Sequence, residues 1–266
     1  MKHTALFTAI LFTAGLASEA MAQSTDAAKL SKQLSNPLAS LISVPIKLDY
    51  NSGFGADNGD QTVMTVQPVI PFSISENWNV ISRTIAPIVF QDDIVPGAGH
   101  QSGFGNITQS LFFSPKAPTA GGVIWGVGPI FQIPTAAERI APSDWGVGVT
   151  GVVLKQTGGL TFGGLASHLE SASGGGFGDQ FEATYMQPFI SYSTPEATSF
   201  TLNAEATYEW NAKEWSVPIN VLVGQVFKIG GQHVQLSAGA RYWAESPAGG
   251  ADDFGLRFQM TFLLPK

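Results

Sequence analysis

The feature that most constrains this chain is an alternation of apolar and polar side chains that returns in one strand-length segment after another. In 200–210, Phe200, Leu202, Ala204, Ala206, Tyr208 and Trp210 take one set of positions, and Thr201, Asn203, Glu205, Thr207 and Glu209 take the other. Segments 42–51, 215–227 and 234–242 repeat the pattern. Weaker versions occupy 62–72, 78–90, 104–113, 123–133, 145–155, 160–169, 180–192 and 254–264. A period of two places every second side chain on one face of a β-strand. The segments number twelve, and an even count is what a single-chain transmembrane barrel requires. At ~3.3 Å per residue and a tilt near 45°, a strand of about ten residues rises roughly 24 Å, the height of the apolar band of such a barrel. The fold class predicted is all-β: a transmembrane antiparallel β-barrel of about 12 strands.

Composition supports the same reading. Hydrophobic residues make up 44% of the chain and charged residues 12%, about half the roughly 25% usual in soluble domains. The charged residues fall at mid-strand on the polar face. Aromatic residues collect at strand ends, among them Tyr50, Phe72, Trp78, Phe90, Trp145, Tyr192, Trp210, Trp215 and Tyr242. Amphipathic rings at two levels form the interfacial girdles of a membrane barrel, which a periplasmic sandwich has no need of. The formal net charge of −7 speaks against a nucleic-acid partner, usually met by a basic patch. With no cysteine, thiol catalysis, disulfides and Cys-ligated metal are excluded.

The chain divides into three parts. Residues 1–22 read as an export signal: Lys2 and His3 precede an apolar stretch from Ala5 to Leu16, and Ala20-Met21-Ala22 is a cleavage signal. In 23–40, Ala27, Leu30, Leu34 and Leu38 recur at helical spacing ahead of or around Pro37. This predicts a short helix, lying either in the periplasm or inside the barrel as a plug. Residues 41–266 form the barrel. Loops at 51–61, 91–103, 134–144, 170–179, 211–214 and 243–253 hold most of the acidic residues, whereas 73–77, 114–122, 156–159, 193–199 and 228–233 read as tighter turns on the other side. Phe254-Gly255-Leu256-Arg257-Phe258-Gln259-Met260, following Asp253, resembles the insertion signal of outer-membrane proteins. Pro45, Pro68, Pro87, Pro129, Pro188 and Pro218 interrupt strand segments, and bulges are expected there.

Few residues carry recognisable chemistry. Gly146, Gly148 and Gly151 satisfy G-x-G-x-x-G, but valines alternate through the motif and no helix follows, so it reads as a glycine-rich strand. His100, His168 and His233 have no metal-ligand spacing. Ser167 and His168 are sequence neighbours, which a strand points to opposite faces. Asp92-Asp93 and Asp252-Asp253 are the best pairs for holding Ca²⁺ or Mg²⁺, the other reading being solvated acidic loops near lipopolysaccharide phosphates bridged by ambient divalent ions. No catalytic residue, resident metal or cofactor is expected.

Function should then reside in the lumen. Twelve strands spaced ~4.8 Å give a backbone diameter of roughly 25 Å, leaving about 10–15 Å between side chains. The charged residues assigned to the pore are Lys47, Asp49, Arg83, Glu182, Glu205, Glu209, Arg241 and Arg257. The glutamates fall on the eighth and ninth strands, and the arginines of the last two strands adjoin Lys47 and Asp49 after closure. Two dispositions follow: opposed charged walls that set selectivity by a transverse field, or mutual ion pairing.

One stretch points to a family. Gln67-Pro68, Ile70-Pro71-Phe72, Ser75-Glu76-Asn77-Trp78-Asn79 and Ser82-Arg83-Thr84 resemble the signature hairpin of a proteobacterial outer-membrane family named for the meta-pathway of phenol degradation. Gly103-Phe104-Gly105-Asn106, Thr108-Gln109-Ser110 and Phe113-Ser114-Pro115-Lys116 are similar too. The resemblance spans most of the chain beyond the signal and is strongest over 60–135. It implies residence in the bacterial outer membrane and uptake of small aromatic or apolar compounds. The function expected is an outer-membrane channel for passive passage of small solutes. Its partners would be outer-membrane lipid and lipopolysaccharide, the insertion machinery and small-molecule solutes. Alternatives are a structural, adhesin or receptor barrel acting through acidic loops, and a barrel lipid hydrolase.

Overall fold

The structure, a computed structural model, describes residues 26–95, 97–172, 178, 180–252 and 254–264. The export signal expected over 1–22 lies outside the described residues. Sixteen strand segments form one sheet. Four of them continue another across an interruption of one or two residues, which leaves twelve strands. These are β1 (Ile42–Phe54), β2 (Gly59–Val66 and Val69–Ser73), β3 (Trp78–Asp92) and β4 (His100–Phe104 and Ile107–Pro115). There follow β5 (Val123–Ile133), β6 (Gly146–Thr157), β7 (Leu160–Ser171) and β8 (Glu182–Ser193). The last are β9 (Thr198–Ala204 and Ala206–Glu209), β10 (Glu214–Ser216 and Pro218–Ile229), β11 (Gln232–Trp243) and β12 (Phe254–Leu264). Each strand pairs antiparallel with the next. β1 then pairs with β12, from Ile42↔Leu264 to Tyr50↔Leu256, so the sheet closes and no edge remains.

The two faces are inverted relative to a soluble protein. Leu48, Phe113, Val149, Phe162, Ile190, Val221, Leu236 and Phe258 stand exposed on the outside. Ser43, Thr65, Gln91, Ser110, Thr150, Asn203, Asn220 and Gln235 are buried on the inside. Apolar side chains on every strand make a continuous belt, far beyond the few hundred Å² that a monomer in water exposes. At roughly 25 cal/mol per Å², hydrocarbon around the belt removes a cost that water would impose. Rings sit toward both rims: Trp78 packs edge-on against Trp125 at 5.9 Å near the short turns. Tyr208 contacts Trp210 and Trp215, each at 4.9 Å, near the loops.

Turn chemistry sets the two ends. At Gly230-Gly231, φ is 55° and 87°, the two successive positive values that a tight hairpin turn requires and that glycine adopts without a steric penalty. The G-x-G-x-x-G stretch lies within β6. A Cβ added at Gly148 would fall 1.9 Å from the His168 carbonyl oxygen on β7. Gly148 thus serves close backbone approach between β6 and β7, and the stretch lies in a strand, where it forms no phosphate loop.

Two expectations need correction. The first loop, read as 51–61, is mostly strand, with only 55–58 left as a turn. The prolines were expected to force bulges, yet one of them alone faces a register shift: the β3–β4 register slips by one residue between Ile85↔Thr108 and Ile88↔Phe104, beside Pro87. At Pro68, Pro188 and Pro218 the ladder loses pairs but the register carries through unchanged. A missing N–H removes one hydrogen bond without requiring an extra residue. The bulge at Gly105-Asn106 has a use. Asn106 Oδ1 accepts the Ala136 N–H at 3.1 Å and its Nδ2 donates to the Pro142 carbonyl at 2.8 Å, which pins loop 134–145 to the barrel mouth.

A helix, α1 (26–34), precedes β1. Leu30 and Leu34 at i, i+4 share its apolar face. Leu30 is buried with Leu41, Ala197, Val226 and Leu263, against which Leu34 also packs. The segment that follows buries Leu38 among Ile81, Phe112, Val152, Leu154 and Leu165. Helix and segment therefore lie within the barrel at its short-turn end. The polar face is bonded to the wall: Ser31 Oγ donates to Ser193 Oγ at 3.3 Å, Ser35 Oγ to Ser191 Oγ at 3.1 Å, and Gln156 Nε2 to the Lys32 carbonyl at 3.0 Å.

Candidate functional site: a charged layer in the lumen

Above this inserted segment, side chains from β1, β9, β11 and β12 meet in a compact ion-pair network. Asp49 and Arg257 are direct partners across the β1–β12 seam. Arg257 Nε donates to Asp49 Oδ1 at 2.5 Å and Nη2 to Oδ2 at 2.8 Å, a bidentate pair. The same guanidinium donates to Glu205 from Nη1 at 2.8 Å and from Nη2 at 2.9 Å. Arg241 Nη1 lies 2.8 Å from Asp49 Oδ2 and 3.7 Å from Glu205 Oε2. Asp49, Arg241 and Arg257 are each less than a tenth exposed. Arg241 Nε is buried with no hydrogen-bond partner among the described residues.

Local sequence explains the placement of Glu205. Pro188 on β8 and Pro218 on β10 sit beside it and offer no N–H, so the ladder breaks at this residue on both sides. The Glu205 N–H still donates to the Pro218 carbonyl at 2.9 Å, which holds β9 in register while its carboxylate reaches across the lumen.

Lys47 and Arg83 face the same region and lie within electrostatic reach of Glu205. Neither makes an ion pair among the described residues. Lys47, Arg83, Glu205 and Arg257 line a cavity of about 230 Å³ whose floor is the inserted segment, including Leu34, Asn36, Pro37 and Leu41. The layer thus holds four cations, Lys47, Arg83, Arg241 and Arg257, against two carboxylates, Asp49 and Glu205.

Of the residues assigned to the pore, Lys47, Asp49, Arg83, Glu205, Arg241 and Arg257 converge in this layer. Glu209 occupies the inner face of β9 nearer the loops, where its Oε1 accepts the Glu182 N–H at 3.4 Å. Glu182 itself is a correction. Tyr185, Gln187, Phe189 and Ser191 point inward on β8, while Met186, Ile190 and Tyr192 are exposed outside. Glu182 shares the outer set. The picture of opposed acidic and basic walls is also replaced, because Glu205 is bonded directly to Arg257. The sequence reading omitted Tyr185, which shares the interior with Arg83 and Glu205; its alternation with apolar neighbours hid it.

Outside, near the loop rim, is a second polar group. Thr184 Oγ1 accepts the Trp210 Nε1–H at 2.9 Å and lies 2.9 Å from His168 Nδ1, while His168 Nε2 lies 3.6 Å from Glu182 Oε1. With Trp210 occupying one lone pair, the hydroxyl can donate to Nδ1, which leaves the Nε2 proton facing the carboxylate. Ser167 takes no part, since it points to the opposite face of β7.

No family model matches the chain, and no curated protein matches it by sequence. Among solved structures, an outer membrane channel from Pseudomonas putida F1 is similar with a TM-score of 0.65 at 13% identity, over 85% of this chain and 96% of that one. Outer membrane phospholipase A from Escherichia coli is similar with a TM-score of 0.49 at 10% identity, over 84% of this chain and 96% of that one. At 13% identity the likeness to the channel establishes the fold alone, an outer-membrane-type β-barrel, here with one short internal helix.

Proposed function

We propose that this protein resides in the bacterial outer membrane and passes small solutes by passive diffusion, with the inserted amino-terminal segment as its gate. The observation that carries the reading is the construction of the interior. The apolar belt suits lipid, the wall around the lumen is polar, and α1 with the residues after it is held to that wall by side-chain contacts, two hydroxyl pairs, the Gln156–Lys32 bond and the packing of Leu30, Leu34 and Leu38, rather than by the strand ladder. None of these contacts belongs to the hydrogen-bond ladder of the sheet, so the segment can shift while the barrel stays closed. The channel named among the similar structures and the family resemblance of 67–84 support the same role.

The test is conductance in planar bilayers. Ser31 and Ser193 place their Oγ atoms 3.3 Å apart, and the chain has no cysteine, so Ser31→Cys with Ser193→Cys gives one defined crosslink. Full-length protein should conduct, the oxidised double variant should not, and reductant should restore current. Absence of both conductance and solute flux in the unmodified protein refutes the channel.

One observation favours the hydrolase alternative, the exterior Glu182–His168–Thr184 relay with Trp210. A nucleophile, a base and an orienting group are its minimum requirement. Release of fatty acid from phospholipid by wild type, abolished in Thr184→Val and His168→Asn, would establish it.

A further inference from the structure

We infer that the cavity between the charged layer and the inserted segment is a binding site for a small organic anion, a single carboxylate on a compact apolar body. The charges point there first. In the layer, Asp49 and Glu205 are fully engaged by Arg257 and Arg241. That leaves Lys47 and Arg83 as cations on the cavity wall with no carboxylate paired to them among the described residues. Glu205 lines the same cavity but is bonded to Arg257, so the layer keeps an excess of two positive charges beside the cavity, which favours an incoming anion. Arg83 is a guanidinium, whose planar fork matches carboxylate geometry, and Lys47 adds a point charge.

The shape of the cavity narrows the ligand class. Its volume is about 230 Å³, below the roughly 300–1,000 Å³ of sites for drug-sized ligands, so it suits one ring or a short branched chain. Val69, Leu165, Phe189 and Leu222 supply apolar wall beside the cations. Inorganic phosphate or sulfate would satisfy the charges but leave this wall unfilled. An uncharged aromatic would do the reverse. The site lies directly over the segment proposed as the gate. Binding is thereby placed to influence that segment, and this last point alone rests on the channel reading.

Calorimetric titration of the detergent-solubilised full chain tests the site, with benzoate, benzamide and inorganic phosphate as probes. Benzoate should bind at least ten-fold more tightly than either of the others. Lys47→Gln with Arg83→Gln should weaken benzoate at least ten-fold and leave benzamide unchanged, whereas Lys155→Gln, on the outer face of β6, should change nothing. Heat-modifiable migration on gels establishes that each variant has formed a closed barrel. Should the double variant not form one, benzoate against benzamide on the wild type decides. Equal affinity for those two probes, equal or tighter phosphate binding, or no binding of benzoate overturns the site. Conductance of the same preparation is measured separately: current without benzoate binding keeps the channel and removes the site, and binding without current does the opposite.

Discussion

Arg257 is the residue on which the interior network turns, and Arg257→Leu should be among the most destabilising single substitutions in the barrel. The side chain is 4% exposed as a residue and donates four charge-assisted hydrogen bonds to two carboxylates. Leucine removes all four. Asp49 would retain its 2.8 Å contact with Arg241, whereas Glu205 would keep only the 3.7 Å contact. Removing one partner of a buried pair costs about 3–5 kcal/mol, because the other charge stays desolvated. Arg241 offsets part of this, so about 3 kcal/mol is expected. Adding Glu205→Gln relieves the stranded carboxylate, and the double variant should be more stable than the sum of the two singles by about 1–3 kcal/mol. Reversible urea unfolding in lipid bilayers, followed by tryptophan fluorescence, reads both quantities from the midpoints. A loss below about 1 kcal/mol for Arg257→Leu, or strict additivity of the pair, would show that lumenal water screens these charges and that the network holds nothing together.

Further outcomes follow from other parts of the molecule. Leu38→Ala empties a site packed by Ile81, Phe112, Val152, Leu154 and Leu165. It should cost about 2–5 kcal/mol of the segment's seating, seen as more frequent opening in single-channel records, and an unchanged open probability would contradict the gate. Gly148→Val puts a branched side chain where even a Cβ falls 1.9 Å from a backbone oxygen, and should abolish the heat-modifiable folded form on gels. Glu209→Gln, near the loop end of the lumen and outside the charged layer, should leave the unfolding midpoint within about 0.5 kcal/mol of wild type. Gly231→Val forces a β-branched residue to a φ of 87°, and should lower stability by about 1–3 kcal/mol in the same urea assay.

Alternation made most of this architecture legible. Where one face is plainly apolar, as in 200–210 or 254–264, parity alone assigns every inward residue, because the pleat allows no intermediate orientation. It failed at β8. That strand carries Tyr185 and Phe189 inside and Met186, Ile190 and Tyr192 outside, so both faces look apolar, and Glu182 was placed on the wrong one. The inward rings are there to pack around Leu38, which belongs to a different part of the chain. Helical spacing revealed α1, but its position inside the barrel depends on hydroxyl pairs between residues 162 and 156 positions apart. The ion pairs were hidden for the same reason. Which carboxylate meets which guanidinium is set by the register and shear of a closed sheet, and neither can be read from one strand.

The bond between Asp49 and Arg257 spans 208 residues of sequence and joins the first strand to the last. Contacts between such distant positions form late, since the intervening chain must be ordered first. Until the final strand arrives, the half-built ring holds an unanswered aspartate at one raw edge. The clasp therefore tells a completed cylinder from an open curl, and it forms only once β12 has taken its place beside β1.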